Sequence, residues 1–105
     1  MTTKKHVVDG KVAVLISPGF GDGWSTWGPA ELKEELLFDP GLVELVLANA
    51  DVRRLEAYAK ERWPEAYLGR IDHLEVCWLP EGEPFDVDEY EGSERLVTGE
   101  RGHRA

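Results

Sequence analysis

The chain has 105 residues, 42% of them apolar, including four Trp, three Tyr and three Phe, which is enough to build one core. Its formal net charge is −9 at pH 7, and the seven acidic residues between positions 81 and 94 meet no Lys or Arg. This acidity disfavours binding to nucleic acid, because phosphate contacts need Lys and Arg, and it favours a basic partner.

The compartment is indicated by the cysteine count and by the absence of targeting signals. The single Cys77 cannot form an internal disulfide, and the chain shows neither a secretory leader nor an apolar run long enough for a membrane span. We therefore expect a cytoplasmic protein with no membrane segment. We also expect a single domain over residues 1–98 and a flexible tail over 99–105, which has no apolar anchor.

The first half of the chain predicts a hairpin, a central strand and helices. Asp9-Gly10 between short apolar runs is typical of a tight hairpin turn. The unbroken apolar run Val12–Ile16 indicates a strand covered on both faces. Pro29 at a first helical position, with Gly28 as its cap, marks the start of the first helix. Helices are predicted near residues 30–38, 40–48 and 51–63.

Further strands are predicted in the second half of the chain, over residues 73–79, 85–90 and 93–98. The first of these alternates between apolar and polar positions, which places Trp78 in the core, and Trp63 at the end of a helix is expected there too. The last two would pair across the Glu91-Gly92 turn. The predicted fold class is therefore α+β, with a small mixed β-sheet of three to five strands covered by about three helices.

The most unusual segment is the glycine- and tryptophan-rich loop between the central strand and the first helix. A strand followed by glycines and then by Ser and Thr near a helix start is where backbone N–H groups can hold an anion. The known phosphate and dinucleotide motifs do not fit, since Trp24 stands where a lysine is needed and Asp22 adds repulsive charge. With the acidic strand, the loop provides the candidate ligand- or partner-binding residues: Gly19, Phe20, Gly21, Asp22, Gly23, Trp24, Ser25, Trp27 and Tyr90.

No catalytic residue is assigned. The stretch Gly23–Trp27 matches a nucleophile elbow only in part, because Trp27 replaces its second glycine and no histidine lies in a segment that obviously returns to the loop. Ser25 is therefore expected to hydrogen-bond the local turn. Cys77 and His73 would lie about 13 Å apart along a strand, beyond hydrogen-bond reach. Neither the histidines nor the acidic residues have the spacing of a metal site, so we expect no metal and no cofactor.

Trp24 and Trp27 are either core residues or an aromatic platform for a partner. A buried Trp closes a small core, whereas an exposed Trp supplies a large contact area at low entropic cost. Trp24 directly follows flexible glycines, while Trp27 lies nearer Pro29 and the helix. We therefore predict that Trp24 is the exposed binding residue and that Cys77 has no catalytic role.

Several segments occur in a recognisable order over roughly residues 11–97. After an apolar strand come the glycine loop with Trp24-Ser25-Thr26-Trp27, then residues 38–44, 74–80 and the acidic turn at 88–92. This order resembles a group of small uncharacterised proteins encoded by tailed bacteriophages and prophages. The resemblance implies an accessory protein in a bacterial cytoplasm and carries no catalytic assignment.

Two hypotheses of function follow. The first is a binding module without catalysis, a phage accessory protein that acts on a bacterial host factor through the loop and the acidic surface around Tyr90. The second is a small nucleotide- or anion-binding protein, a sequestrant or a small enzyme, that uses the backbone nest from Gly19 to Ser25. The partner would be a bacterial host protein or a small ligand, and the chain could form a homo-oligomer.

Overall fold

The computed structural model describes residues 4–19, 23–66, 68, 71–99 and 102–105, and its fold is α+β, as predicted. Among the predicted site residues, Phe20, Gly21 and Asp22 lie outside the described residues. The described strands form two three-stranded antiparallel sheets rather than one mixed sheet. In the part of the chain that the structure describes, no helix is long and apolar enough to cross a membrane.

The first sheet is built around β2 (Lys11–Ile16), which lies between β1 (Val7–Val8) and β3 (Glu75–Pro80). Asp9 and Gly10 join β1 to β2 with φ angles of 51° and 76°, the positive values that an Asp-Gly hairpin turn requires. The predicted hairpin is therefore confirmed. All of β2 after its first residue is buried, which also confirms the central strand.

The helices that follow β2 are α1 (Lys33–Phe38), α2 (Pro40–Leu47) and α3 (Val52–Arg62). Asp39 and Asp51 cap α2 and α3 by accepting hydrogen bonds from the backbone N–H three residues later, at 3.0 and 2.9 Å. The helix expected to start at Pro29 begins differently. A 3-10 turn over Ala30–Leu32, which is preceded by Pro29 and has no side-chain cap, comes before α1.

The second sheet contains β4 (Pro84–Tyr90) between β5 (Ser93–Thr98) and β6 (His103–Arg104). The turn from β4 to β5 has φ angles of 49° at Glu91 and 85° at Gly92, so the predicted pairing across this turn is confirmed.

The C-terminal segment differs from the flexible tail predicted over residues 99–105. Its described part pairs with β4 as β6, and Ala105 is buried, with its N–H donated to Glu83 O at 3.0 Å. The ring of His103 packs against that of Phe85, with centroids 5.4 Å apart. This segment is anchored by backbone pairing, by the ring contact of His103 and by the contact of His103 Nδ1 with Glu34 Oε1 at 3.0 Å, which its polar composition does not reveal.

The buried side chains form two clusters, one on each side of β2. One face of β2 packs against α2, α3 and Trp63. The other face packs against Phe38 of α1 and Phe85 of β4, whose rings meet edge to face with centroids 6.0 Å apart. Trp63 is therefore in the core, as predicted. Trp78 is not, because it lies on the edge strand β3 and is 39% exposed.

Candidate functional site

The described part of the glycine loop is organised around a carboxylate of the same chain, that of Glu94 in β5. Glu94 Oε1 accepts a hydrogen bond from Ser17 N at 2.9 Å. Its Oε2 accepts from Trp24 N at 2.8 Å, from Thr26 N at 3.1 Å and from Thr26 Oγ1 at 2.5 Å. Glu94 is only 1% exposed, so three backbone N–H groups and a hydroxyl converge on a buried anion.

The beginning of β5 is held against the end of β2, which brings Glu94 beneath the loop. Glu94 N donates to Ser17 O at 2.9 Å, and Ser93 Oγ donates to Pro18 O at 2.6 Å. Alternation along β5 places Glu94 on the same face as Leu96, which packs into the core. The carboxylate therefore points inward because of its register in the strand.

Gly23 permits the close packing of the loop. A Cβ atom at this position would lie 2.5 Å from Thr26 Oγ1, 2.7 Å from Trp27 Cδ1 and 3.0 Å from Glu94 Oε2. The first two distances are shorter than those of real Cβ contacts, so any side chain would push the loop away from the carboxylate. Gly23 is thus needed for a close approach, which is a different role from mobility.

Trp24 is fully buried, so the prediction that it is the exposed tryptophan is wrong. Its indole N–H donates to Leu36 O at 2.6 Å, and its ring meets that of Trp63 with centroids 6.3 Å apart. The prediction failed because it assumed that a residue after glycines is free to move. Instead, the backbone N–H of Trp24 is bound to Glu94 and its side chain completes the core.

Trp27 is the exposed tryptophan of the loop, with 50% of its surface accessible. Its indole Nε1 donates to Glu89 Oε1 at 3.1 Å, and Glu89 Oε2 accepts a hydrogen bond from Gly92 N at 3.2 Å. The turn between β4 and β5 therefore orients the Glu89 carboxylate, and this carboxylate in turn orients the Trp27 ring. Since the polar atom of the indole is engaged, Trp27 offers a partner mainly its apolar, electron-rich ring.

Ser25 is buried and is not placed to act as a nucleophile. It is 2% exposed, and its backbone oxygen accepts a hydrogen bond from Gly28 N at 3.3 Å, closing the local turn. One histidine does return to the loop, contrary to the sequence analysis: a Cβ atom on Gly19 would lie 2.8 Å from His73 Nδ1. His73 therefore packs against Gly19.

Tyr90 lies at the end of β4 beside this site and is 70% exposed. It directly follows Glu89, whose carboxylate holds the Trp27 ring. Five of the seven acidic residues between positions 81 and 94 are exposed, and only Glu94 among them is buried. The acidic segment therefore has two parts, the internal carboxylate of Glu94 and a set of exposed carboxylates that includes Glu89 beside Trp27. Because side chains alternate along β4, Tyr90 points to the opposite face of the strand from Glu89.

The remaining reactive groups offer no further centre. Burial, and then the charge of Glu75, raises the pKa of the Cys77 thiol above its ordinary value, which disfavours the reactive thiolate. Within the described residues, no group of three or more His, Cys, Asp or Glu side chains is placed to hold a metal ion. In comparisons with known proteins, the chain matches no family model, no curated protein and no solved structure.

Glu94 is the site residue that sequence reasoning missed. The sequence indicates a nest of N–H groups that suits an anion and, separately, an acidic strand, but no local pattern shows that the two meet. The available signal was the spacing of Glu94 from Leu96, which places an acid on the apolar face of β5.

Proposed function

We propose that the chain is a binding module without catalysis, a phage accessory protein that engages a bacterial host protein. Its contact surface, termed here the Trp27 face, consists of Trp27 of the loop and Glu89 of β4, with the exposed Glu91 in the turn that follows. The observation that carries the proposal is the half-exposed Trp27 ring, which is held in place by Glu89.

A fixed, exposed tryptophan suits protein recognition for two physical reasons. Tryptophan is enriched among the residues that dominate binding energy at interfaces, because one ring buries a large area. A ring whose orientation is already set loses little conformational freedom when a partner docks, so more of the contact energy appears as affinity. On the Trp27 face, the hydrogen bond from Nε1 to Glu89 provides this orientation. The exposed acids nearby would steer a basic partner toward the ring.

The alternative, an anion or nucleotide sequestrant that uses the loop nest, receives less support from the geometry. The N–H groups of Ser17, Trp24 and Thr26 are all directed to Glu94. An external anion would have to displace a carboxylate that belongs to the same chain and is therefore present at a high effective concentration. These contacts favour the binding module.

The proposal is tested by site-specific photo-crosslinking in the bacterium that carries the gene. Trp27 is replaced by p-benzoylphenylalanine in one protein and Trp78 in another, since Trp78 has similar exposure but lies on the other sheet. We expect a discrete protein adduct from position 27 and none from position 78. Equal labelling from both positions, or no protein adduct from position 27, would contradict the proposal.

Stability measurements separate loss of contact from loss of fold. Trp27→Ala should lower the free energy of unfolding by no more than about 1 kcal/mol, as exposed substitutions do, and should abolish the partner contact. Trp24→Ala should lower it by about 3–5 kcal/mol, because it leaves a cavity in the core. Chemical denaturation of the two variants gives both values. If Trp27→Ala proved as damaging as Trp24→Ala, the ring would be a structural element and the Trp27 face would lose its anchor.

A further inference from the structure

The Trp27 face has the chemistry of a cation receptor. The indole N–H is already bonded to Glu89 Oε1, so the ring offers a partner an electron-rich surface and no hydrogen-bond donor. Positively charged groups are attracted to such a surface, and tryptophan attracts them best among the aromatic side chains. The carboxylate of Glu89 lies at the edge of the same ring and places a negative charge beside it.

The surrounding charge has the same sign. Glu91 follows in the turn and is exposed, and the segment between positions 81 and 94 contains no Lys or Arg. Arg95, which comes next, is paired with Asp88 at 3.1 Å. An incoming cation would therefore be attracted by the acidic groups of this segment, whereas an anion would be repelled by them.

The chain itself contains a related contact elsewhere. The guanidinium carbon of Arg62 lies 5.4 Å from the centroid of the Trp63 ring, and the same guanidinium bonds Glu35 at 2.6 Å and Asp39 at 3.3 Å. A guanidinium thus lies near an indole and is paired with carboxylates at the same time in this fold. The Trp27 face supplies the indole and the carboxylate of such an arrangement.

The ring is also held rigidly enough to act as a receptor. Thr26, the residue before Trp27, donates its N–H and its hydroxyl to the buried Glu94, which fixes the backbone. Glu89 is fixed in turn by Gly92 N. Docking a side chain on this surface therefore requires little ordering of the receptor.

We infer, on the basis of the proposed function, that the Trp27 face binds an arginine side chain of its protein partner, with the guanidinium stacked on Trp27 and paired with Glu89. Arginine fits better than lysine because its planar, weakly hydrated group can stack on a ring and bond a carboxylate at the same time.

The experiment uses the full chain, labelled with ¹⁵N, and capped heptapeptides in which three arginines alternate with glycines. Matched peptides carry citrulline, which keeps the shape and removes the charge, or lysine. The indole N–H signal of Trp27 is assigned from its absence in Trp27→Phe. We expect the arginine peptide to shift that signal in a saturable manner, and the citrulline peptide to bind at least about threefold more weakly.

Two pairs of variants separate the receptor from general charge attraction. For the variants, binding is followed through the backbone amide signals, because Trp27→Leu lacks the indole N–H. Trp27→Leu should bind the arginine peptide about two- to fivefold more weakly, while Trp78→Leu should bind it with unchanged affinity. Glu89→Gln keeps an oxygen for the indole N–H but removes the charge, so it should also weaken binding. Glu81→Gln removes the same charge from an exposed position before β4 and should weaken binding less.

Each outcome decides the inference. Equal binding of the arginine and citrulline peptides, or unchanged binding by Trp27→Leu, overturns it. Equal effects of Glu89→Gln and Glu81→Gln reduce the interaction to net charge and also overturn it. If position 27 crosslinks a protein while the peptides do not discriminate, the binding module stands and the arginine receptor falls. If the arginine peptide binds at Trp27 but no protein crosslinks there, the receptor stands and the proposed protein partner falls.

Discussion

Removing the Glu94 carboxylate should be among the most destabilising changes that a single acidic residue of this chain can undergo. The informative substitutions are Glu94→Ala, which removes both acceptor oxygens, and Glu94→Gln, which keeps one of them. Glu81→Gln is the matched control, because Glu81 is exposed and the substitution removes the same charge.

The magnitude follows from the groups left without a partner. In Glu94→Ala, the N–H groups of Ser17, Trp24 and Thr26 lose their acceptor in a site with almost no exposed surface. A buried unpaired donor costs about 1–3 kcal/mol, and three donors lose their acceptor here. We expect a loss of about 3–5 kcal/mol in the free energy of unfolding.

Glu94→Gln should lower the free energy of unfolding by less, about 1.5–3 kcal/mol. Its amide oxygen can still accept hydrogen bonds from the donors on one side, whereas its amide NH₂ is itself a donor and cannot accept from the N–H group on the other side. Glu81→Gln should stay within about 0.5 kcal/mol of the parent protein. Each kcal/mol corresponds to a change of about 4–8 °C in Tm for a chain of this size. Thermal and urea denaturation measure the three values.

A local measurement distinguishes the nest from a general loss of stability. The amide protons of Trp24 and Thr26 should exchange faster in Glu94→Gln than in the parent protein by a larger factor than those of β2. Added formate should recover part of the stability of Glu94→Ala, since a small carboxylate can occupy the vacated position. A Glu94→Gln protein as stable as Glu81→Gln, with unchanged exchange at Trp24 and Thr26, would refute the view that this carboxylate organises the loop.

Two further predictions follow from titratable side chains. Burial, followed by the hydrogen bond that its hydroxyl donates to Asp39, raises the pKa of Tyr58 from 10.0 to about 12. The folded state thus holds the phenol proton more tightly than the unfolded state, so this stabilisation is present below pH 10 and is lost as the pH rises toward 12. In urea denaturation, the difference in free energy of unfolding between the parent protein and Tyr58→Phe should shrink across that interval. A difference that stays constant with pH would contradict the prediction. Cys77, whose thiol pKa is raised, should react with iodoacetamide much more slowly in the folded than in the unfolded protein, and equal rates would show that the thiol is freely accessible. Cys77→Ser should keep partner binding.

The sequence predicts those elements whose cause is local. The Asp9-Gly10 hairpin and the Glu91-Gly92 turn follow from residues that accept positive φ angles, and β2 follows from an unbroken apolar run. In each case the decisive contacts lie within a few residues of one another.

The site required contacts that local patterns do not contain. Glu94 lies 68 to 77 positions along the chain from the groups it binds, so its role depends on how β5 meets the end of β2. The exposure of the two tryptophans depends on the same contact between β5 and the end of β2, because Glu94 fixes the backbone conformation between Trp24 and Trp27. Composition therefore identified an anion nest and two candidate rings, but it assigned the wrong ring to the surface.

Glu94 connects the fold of this chain to its contact surface. An apolar residue at this position would leave the loop N–H groups unpaired, and the loop would have to open toward water to satisfy them. With a carboxylate there, the loop has one favoured arrangement, in which Trp24 is directed into the core and Trp27 toward Glu89. A buried ion contributes little net stability compared with a well-packed apolar group, but it strongly favours the conformation in which its hydrogen bonds are formed. The acid in the nest is therefore best understood as the group that determines which tryptophan is buried and which is exposed.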